Sequence, residues 1–146
     1  MKPGKFSGSV TLKWLDAYWW KTASSFSYTA ADGRKFTIPR GMVTDLGSIP
    51  RLFWFFMHRS EFTPAYLLHD FLYWKHPVSR KEADALLCEA ISTLTVGDAL
   101  IKRGMVWASV RLFGQRAWEQ GRKRAKRMSS GRLHNHVPAC PPDVRQ

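Results

Sequence analysis

A histidine and an aspartate lie side by side in an otherwise apolar and aromatic segment of the chain. The segment reads PAYLLHDFLYW over residues 64–74, and its titratable pair is His69 and Asp70. A histidine held in one orientation can act as a general base near neutral pH, and a carboxylate can bind a hard cation such as calcium. A buried His–Asp pair can equally form a polar clamp between packed helices, so both interpretations stay open.

A second carboxylate, Asp84, is expected to approach His69 from a neighbouring helix. Thr63 followed by Pro64 predicts a helix that ends before Pro77, with Thr63 as the N-cap. The sequence SRKE at 79–82 predicts a capping box and a second helix that runs to about residue 93. The link between the two helices is short, so we expect an antiparallel hairpin.

The helical rise places the two side chains at similar heights on this hairpin. His69 lies about 10 Å before the link and Asp84 about 7.5 Å into the second helix. We therefore expect Asp84 to bond one ring nitrogen of His69, leaving the other nitrogen free to act as a base. Tyr73, four residues after His69, shares its helix face and is included in the candidate catalytic group. Arg80 and Lys81 are predicted to form a solvated face.

An irregular segment with two Pro and two Gly precedes the hairpin at residues 39–50. Asp70 can face this loop, where Asp45 would be a second oxygen ligand for a divalent cation such as calcium, and Ser48 would support the loop. Asp45 and Ser48 also have a simpler structural role, because such side chains often bond the backbone of turns.

The remaining patterns predict an α+β fold. Alternating apolar and polar residues predict strands at 9–15 and 25–29, and the Asp32-Gly33 turn predicts a return strand at 35–38. Residues 16–21 fit a strand or a loop. A long C-terminal helix is predicted from Gly97 onward, with an apolar stripe formed by Val106, Val110, Phe113 and Ala117 and widened by Met105 and Leu112. The expected architecture is a small antiparallel sheet, a helical hairpin and this long helix.

The charge distribution divides the chain into a domain and a basic tail. The formal net charge is +12, and the segment at 122–127 reads RKRAKR. We predict a single domain over residues 1–118 and a flexible tail over 119–146. Arg122, Lys123, Arg124, Lys126 and Arg127 would attract nucleic acid or an anionic membrane surface, although such a run can also be only a solvated end.

Several function classes are not supported by the sequence. Two cysteines without zinc spacing do not make a disulfide framework or a zinc site, and no apolar run is long enough to span a bilayer. There is no signal-peptide pattern, no P-loop, no GxSxG and no HExxH motif. The use of cysteine predicts a reducing compartment.

Four motifs in a fixed order resemble a family of small proteins from bacteriophages and bacterial prophages. They are TDLGSIPR at 44–51, LHDFLY at 68–73, SRKEAD at 79–84, and VRLFG at 110–114 with Ala117-Trp118. The family is known as a domain of unknown function, number thirteen-fifty-three, and the resemblance covers about residues 26–118. Its first motif usually reads TDGASIPR, so Leu46-Gly47 replaces Gly-Ala here. The resemblance implies a phage origin, a location in the host cytoplasm or the virion, and other phage proteins as partners, but no established activity.

The hairpin is also similar, locally, to the catalytic hairpin of phospholipases A2, including the virion-borne parvoviral type. That likeness implies that His69 activates water, that Asp70 holds calcium and that Asp84 orients His69. The chain departs from the pattern because the Gly-rich calcium loop and the disulfides are missing. The sequence thus supports two expectations: a phage hydrolase with His69 as general base, or a non-catalytic phage accessory or virion-assembly protein whose His–Asp cluster is structural and whose basic tail binds nucleic acid.

Overall fold

A computed structural model of the chain describes residues 4–16, 19–44, 62–94 and 99–129. The predicted α+β class is confirmed. The strands are β1 (Lys5–Ser7), β2 (Leu12–Asp16), β3 (Trp19–Thr22), β4 (Phe26–Thr29), β5 (Lys35–Ile38) and β6 (Val43–Thr44). The helices are α1 (Thr63–Lys75), α2 (Arg80–Leu94), α3 (Ala99–Phe113) and α4 (Gln115–Ser129).

The strands form two small antiparallel sheets where we predicted one. The first sheet has the order β1-β4-β5 and the second has the order β2-β3-β6. The hairpin predicted around Asp32-Gly33 is confirmed by pairing of Phe26 with Ile38 across β4 and β5. The strand predicted at 9–15 begins later, at Leu12, and the ambiguous segment at 16–21 contributes β3.

Alternation along β4 and β5 gives the first sheet an apolar face. Phe26, Tyr28, Phe36 and Ile38 are all buried, and the residues between them are more exposed. Burying such a face against a helix is the main source of stability for a small sheet. β5 packs against α1, so this face helps to position the helix that carries His69.

α1 is the central helix and is buried along most of its length. It packs against α2, α4 and β5, and its buried residues include Leu67, Leu68 and Leu72. The predicted N-cap is wrong by one residue: Phe62 occupies that position, Thr63 is already helical, and no side chain caps the helix. Pro64 still lies in the first turn, where its missing N–H leaves no helical hydrogen bond unmade.

α2 begins with the capping box that its sequence predicts. Glu82 Oε2 accepts hydrogen bonds from the backbone N–H and the hydroxyl of Ser79, at 3.0 and 2.7 Å, and the Glu82 N–H donates to Ser79 Oγ at 3.3 Å. This reciprocal pairing satisfies donors that a helix start leaves unpaired. The start of α2, and hence the height of Asp84 on the hairpin, is therefore fixed by local sequence.

The predicted long C-terminal helix is divided at Gly114 into α3 and α4. Gly114 links the two helices: its N–H donates to Val110 O at the end of α3 at 2.9 Å, and its carbonyl accepts from Trp118 N–H at the start of α4 at 3.0 Å. The predicted apolar stripe is only half correct. Val106 and Val110 are buried, whereas Phe113 is 55 % exposed, Leu112 is 73 % exposed and Ala117 is also exposed.

The stripe prediction fails beyond Val110 because α3 and α4 pack against different helices. α3 contacts α2, whereas α4 contacts α1 through Trp118, whose ring lies against Tyr73 and His76. The inward face therefore shifts by one residue from Ala117 to Trp118. α4 continues past residue 118, the predicted end of the domain, and a flexible tail beyond the described residues stays a prediction. No helix in the described ranges has both the length and the apolar character needed to cross a bilayer.

Candidate active site

The carboxylate of Asp84 is the centre of a buried hydrogen-bond network. Asp84 is completely buried, and its Oδ1 lies 3.1 Å from His69 Nε2 and 2.6 Å from the Tyr73 hydroxyl. The rings of His69 and Tyr73 lie next to each other, with centroids 4.0 Å apart. The structure therefore brings together the three residues of the predicted catalytic group, and the expected contact between His69 and Asp84 is present.

An arginine from α3 completes the set of donors around Asp84. Arg111 Nη1 lies 3.1 Å from Asp84 Oδ2, so each carboxylate oxygen has at least one donor. The side chain of Arg111 is 36 % exposed, so it extends from the protein surface to the buried carboxylate of Asp84. Such charge-assisted hydrogen bonds are what make burial of an ionised carboxylate tolerable.

Arg80 ties the same network to the end of α3. Its Nη2 donates to the carbonyl oxygens of Val110 and Arg111 at 2.9 and 2.7 Å, and its Nε lies 3.5 Å from the Tyr73 hydroxyl. Arg80 thus binds two carbonyls in the last turn of α3, where helix carbonyls commonly have spare acceptor capacity. The prediction that Arg80 belongs to a solvated face is therefore wrong, although Lys81 is exposed as expected.

The hydrogen bonds keep Asp84 ionised. Burial by itself raises the pKa of a carboxyl group, but the bonds from His69, Tyr73 and Arg111 outweigh burial and lower the pKa of Asp84 below its usual value. Asp84 is thus an acceptor only, and the Tyr73 hydroxyl must donate to it. The pKa of Tyr73 is raised by burial and by this bond.

Burial also keeps His69 neutral. It lowers the pKa of His69 from the ordinary 6.5, and the opposing effect of Asp84 does not restore it. An ionised Asp84 can only accept, so the single proton of a neutral imidazole must reside on Nε2. This arrangement leaves the lone pair on Nδ1.

Nδ1 of His69 is the atom that can do chemistry. Within the described part of the chain it has no hydrogen-bond partner, and the His69 side chain keeps 10 % of its surface exposed. An imidazole with Nε2–H bound to a carboxylate and a free Nδ1 lone pair has the arrangement required of a general base. It can take a proton from a water molecule or from a substrate hydroxyl, and Asp84 then stabilises the imidazolium.

Asp70, the predicted metal ligand, lies on α1 and contacts Thr44, a residue of the segment 39–50 that we expected it to face. Its Oδ2 accepts a hydrogen bond from the Thr44 hydroxyl, which links α1 to β6. Asp45 and Ser48, the other predicted loop residues, lie outside the described residues. The described ranges hold no group of three or more His, Cys, Asp or Glu side chains able to bind a metal ion, so a cation at Asp70 stays a prediction.

The residues predicted to bind polyanions lie on α4, whereas Asp84 lies on α2. Arg122 and Lys123 are exposed. Arg124, Lys126 and Arg127 continue the helical backbone of α4, and their side chains are outside the described set. None of these residues is among the described hydrogen-bond partners of the His69 network.

Three contributors to the site were not predicted from the sequence. Arg111 reaches Asp84 through packing of α3 on α2, Arg80 reaches Tyr73 across the link between α1 and α2, and Thr44 reaches Asp70 from a two-residue strand. One signal was available for Arg111, which interrupts an apolar helical pattern next to Val110. An arginine there needs an acidic partner or a route to solvent.

The comparisons with known proteins identify a family. Residues 20–110 match the family described as "Protein of unknown function (DUF1353)". No curated protein and no solved structure matches the chain. The matched range runs from β3 to the buried end of α3 and contains His69, Asp70, Tyr73 and Asp84. It also overlaps most of the range over which the sequence motifs resemble that family. The match covers more than half of the chain, which therefore belongs to the DUF1353 family of proteins of unknown function.

Proposed function

We propose that this chain is a hydrolase with His69 as its general base. The observation that carries the proposal is the geometry of the His69 ring, with Nε2 held by Asp84 and Nδ1 without a partner among the described residues. Burial lowers the pKa of this ring, which favours its neutral form. A purely structural His–Asp pair needs no free ring nitrogen, whereas proton abstraction from water requires one.

The chemistry follows from the hydrogen bonds. Nδ1 of His69 accepts a proton from a water molecule while the water oxygen attacks the carbonyl carbon of an ester. The imidazolium then gives this proton to the departing alkoxide. The products are a carboxylic acid and an alcohol. Asp84 holds the ring and stabilises its charged form, as Tyr73 and Arg111 hold Asp84.

Carboxylic esters are the proposed substrate class because of the local likeness to the phospholipase A2 hairpin. His69, Asp70 and Tyr73 on one helix and Asp84 on the other supply that likeness. A cation at Asp70 and Asp45 would polarise the ester carbonyl. The proton transfers described above involve only the chain's own residues. The motif resemblance to phage and prophage proteins supports action in the host cytoplasm or in the virion.

A second candidate function is supported by Arg80 and Arg111. These residues join α3 to Asp84 and Tyr73, so the network also ties three helices together. In this alternative the chain is a non-catalytic phage accessory or virion-assembly protein. The His–Asp cluster is then a clamp in the core, and the basic residues of α4 contact nucleic acid or another polyanion.

Substitution of His69 by glutamine separates the two functions. The Gln amide can still donate to Asp84, but it has no basic lone pair, whereas alanine removes both properties. We expect His69→Gln to lower the rate of hydrolysis of p-nitrophenyl esters by about 10²–10⁴-fold. The free energy of unfolding of this variant should change by less than about 1 kcal/mol, and His69→Ala should lose about 1–3 kcal/mol because the buried Asp84 loses a donor.

His76→Gln is the matched control, because His76 lies on the same hairpin and outside the hydrogen bonds to Asp84. It should leave hydrolysis unchanged. Ester hydrolysis that survives in folded His69→Gln would remove the catalytic role. Absence of hydrolysis in the wild type, together with destabilisation by both His69 variants, would favour the clamp.

A further inference from the structure

α3 carries an unusual amount of exposed apolar surface for a small domain. Ile101 is 70 % exposed and Leu112 is 73 % exposed, and Phe113 and Trp107 are about half exposed, at 55 % and 50 %. Among the described residues, the other large apolar side chain exposed to this degree is Trp14, on β2. Contiguous exposed apolar residues mark interaction surfaces, whereas single ones need no explanation.

Two of these exposed residues, Ile101 and Leu112, lie on one face of α3, with the half-buried Met105 and Ala108 between them. Ile101, Met105, Ala108 and Leu112 are spaced by four, three and four residues, so they lie on one face of α3. Val106 and Val110 are buried on the opposite side, against α2. The row is about 16 Å long at the helical rise. We call these four residues the apolar row.

The apolar row leads directly into a strongly basic surface. Residues 99–129 contain nine Lys or Arg and a single acidic residue, Glu119. Arg116, Glu119 and Lys123 follow Leu112 in the chain at successive intervals of four, three and four residues. All three side chains are exposed. α3 and α4 meet at Gly114, so the exposed apolar residues of α3 are followed along the chain by the exposed basic residues of α4.

We propose that the outer side of α3 and α4 docks on the surface of an anionic lipid bilayer. The apolar row enters the boundary between headgroups and acyl chains, and Arg116 and Lys123 pair with lipid phosphates. Apolar residues bordered by Lys and Arg are the composition of segments that lie in a membrane interface. The proposal uses none of the residues assigned to hydrolysis, so it stands or falls independently of His69.

The charge distribution favours a bilayer over the other possible occupants. A second copy of this chain would bring the same basic surface close to itself, at an electrostatic cost. Nucleic acid would pair with the basic residues but would give the apolar row no apolar environment to enter. An anionic bilayer satisfies both parts of the surface.

Vesicle sedimentation with the full chain tests this proposal. The probes are vesicles of phosphatidylcholine alone and of phosphatidylcholine mixed with phosphatidylglycerol. We expect the wild type to sediment with the anionic vesicles. Ile101→Ser with Leu112→Ser should weaken binding by about tenfold, since less apolar area enters the lipid. Arg116→Glu with Lys123→Glu should weaken it by at least about tenfold, since each basic residue contributes to attraction.

Two control proteins carry matched changes on the sheets. Trp14→Ser removes an exposed apolar side chain, and Lys13→Glu with Lys35→Glu reverses two exposed charges. Both controls should bind anionic vesicles like the wild type, and circular dichroism should show that every variant is folded.

Four results would overturn the proposal. The first is a wild type that does not sediment with anionic vesicles, and the second is an apolar-row variant that binds them unchanged. The third is a wild type that forms a dimer, by light scattering, which the apolar-row variant abolishes without any vesicle binding. Retention on duplex DNA that requires Arg116 and Lys123 but not the apolar row, without vesicle binding, would assign the surface to nucleic acid.

Discussion

Asp84 is a charged side chain in a place where water cannot reach it, so its partners decide its protonation. His69, Tyr73 and Arg111 all donate to it, and their combined effect exceeds that of burial. The chemical state of His69 follows from this, since an ionised Asp84 fixes the imidazole proton on Nε2. The proposed base is therefore produced by a carboxylate that contacts no substrate.

Substitution of Asp84 should cost much more than substitution of any one donor. Asp84→Asn leaves Arg111 without its charged partner and forces an amide to face donors, so we expect a loss of about 3 kcal/mol in the free energy of unfolding. Tyr73→Phe removes a single hydrogen bond and should lose about 1 kcal/mol. Urea denaturation measures both losses.

Glu119→Gln is the control for Asp84→Asn, because Glu119 is an exposed carboxylate. It should change stability by less than about 0.5 kcal/mol. If Asp84→Asn proved as mild as this control, Asp84 would not hold the charge that the network assigns to it.

For individual residues, the sequence predicted contacts between side chains that are close along a helix or across the short α1–α2 link. It did not predict contacts that depend on how distant helices pack. His69 and Tyr73 are four residues apart, and a short link fixes the height of Asp84 opposite them. Arg111 follows Asp84 by 27 residues, and nothing local to either residue specifies how α3 lies on α2. Tertiary packing of this kind is not encoded in any short window of sequence.

Local sequence chemistry directs the start of α2 and the end of α1. The capping box at Ser79 and Glu82 starts α2 as predicted, and α1 ends at Lys75, with His76 as its C-cap just before Pro77. Periodicity was less informative for α3 and α4, since it treated Phe113 and Ala117 as part of one stripe. Each of the two helices faces a different neighbour, and a pattern that assumes one buried face cannot represent this.

Gly121 allows α4 to lie directly against α1. A Cβ at this position would be 2.1 Å from the backbone oxygen of Tyr73 and 3.0 Å from His76 Nε2. A backbone carbonyl inside a helix cannot move aside, so Gly121→Ala should force the two helices apart. We expect a loss of about 2 kcal/mol in the free energy of unfolding, measured by thermal or urea denaturation.

Gly104 provides the comparison, because nothing lies within 4 Å of a Cβ built there. Gly104→Ala is an exposed change in a helix interior and should be stabilising by up to about 1 kcal/mol. Equal effects of the two substitutions would mean that α4 does not pack on α1 as closely as described.

The whole molecule combines an α+β core with a strongly basic helix, α4. Composition and alternation were sufficient to predict the fold class, because each element has a local signature. They did not predict that the strands divide into two sheets, since strand pairing depends on contacts distant in sequence. The net charge of +12 indicated a polyanionic partner, but the apolar row on α3 could be recognised only from exposure in the folded chain.

The free energy of unfolding of the whole molecule should decrease steadily as the pH is lowered from neutral into the acid range. The pKa of His69 is lower in the folded chain than the ordinary 6.5, so the unfolded chain binds more protons between these two values. The free energy of unfolding should therefore fall as the pH decreases through 6.5 towards the folded pKa. Asp84, also with a lowered pKa, adds a further loss below its ordinary 3.8.

The most direct test is an NMR titration of the His69 ring nitrogens in the intact protein, with the signals assigned by comparison with His69→Gln. At neutral pH we predict a neutral imidazole with its proton on Nε2 and an unprotonated Nδ1. The ring should become charged only below pH 6.5, the ordinary pKa of histidine. An imidazolium at neutral pH, or a neutral ring protonated on Nδ1, would contradict the proposal that Asp84 prepares His69 to act as a base.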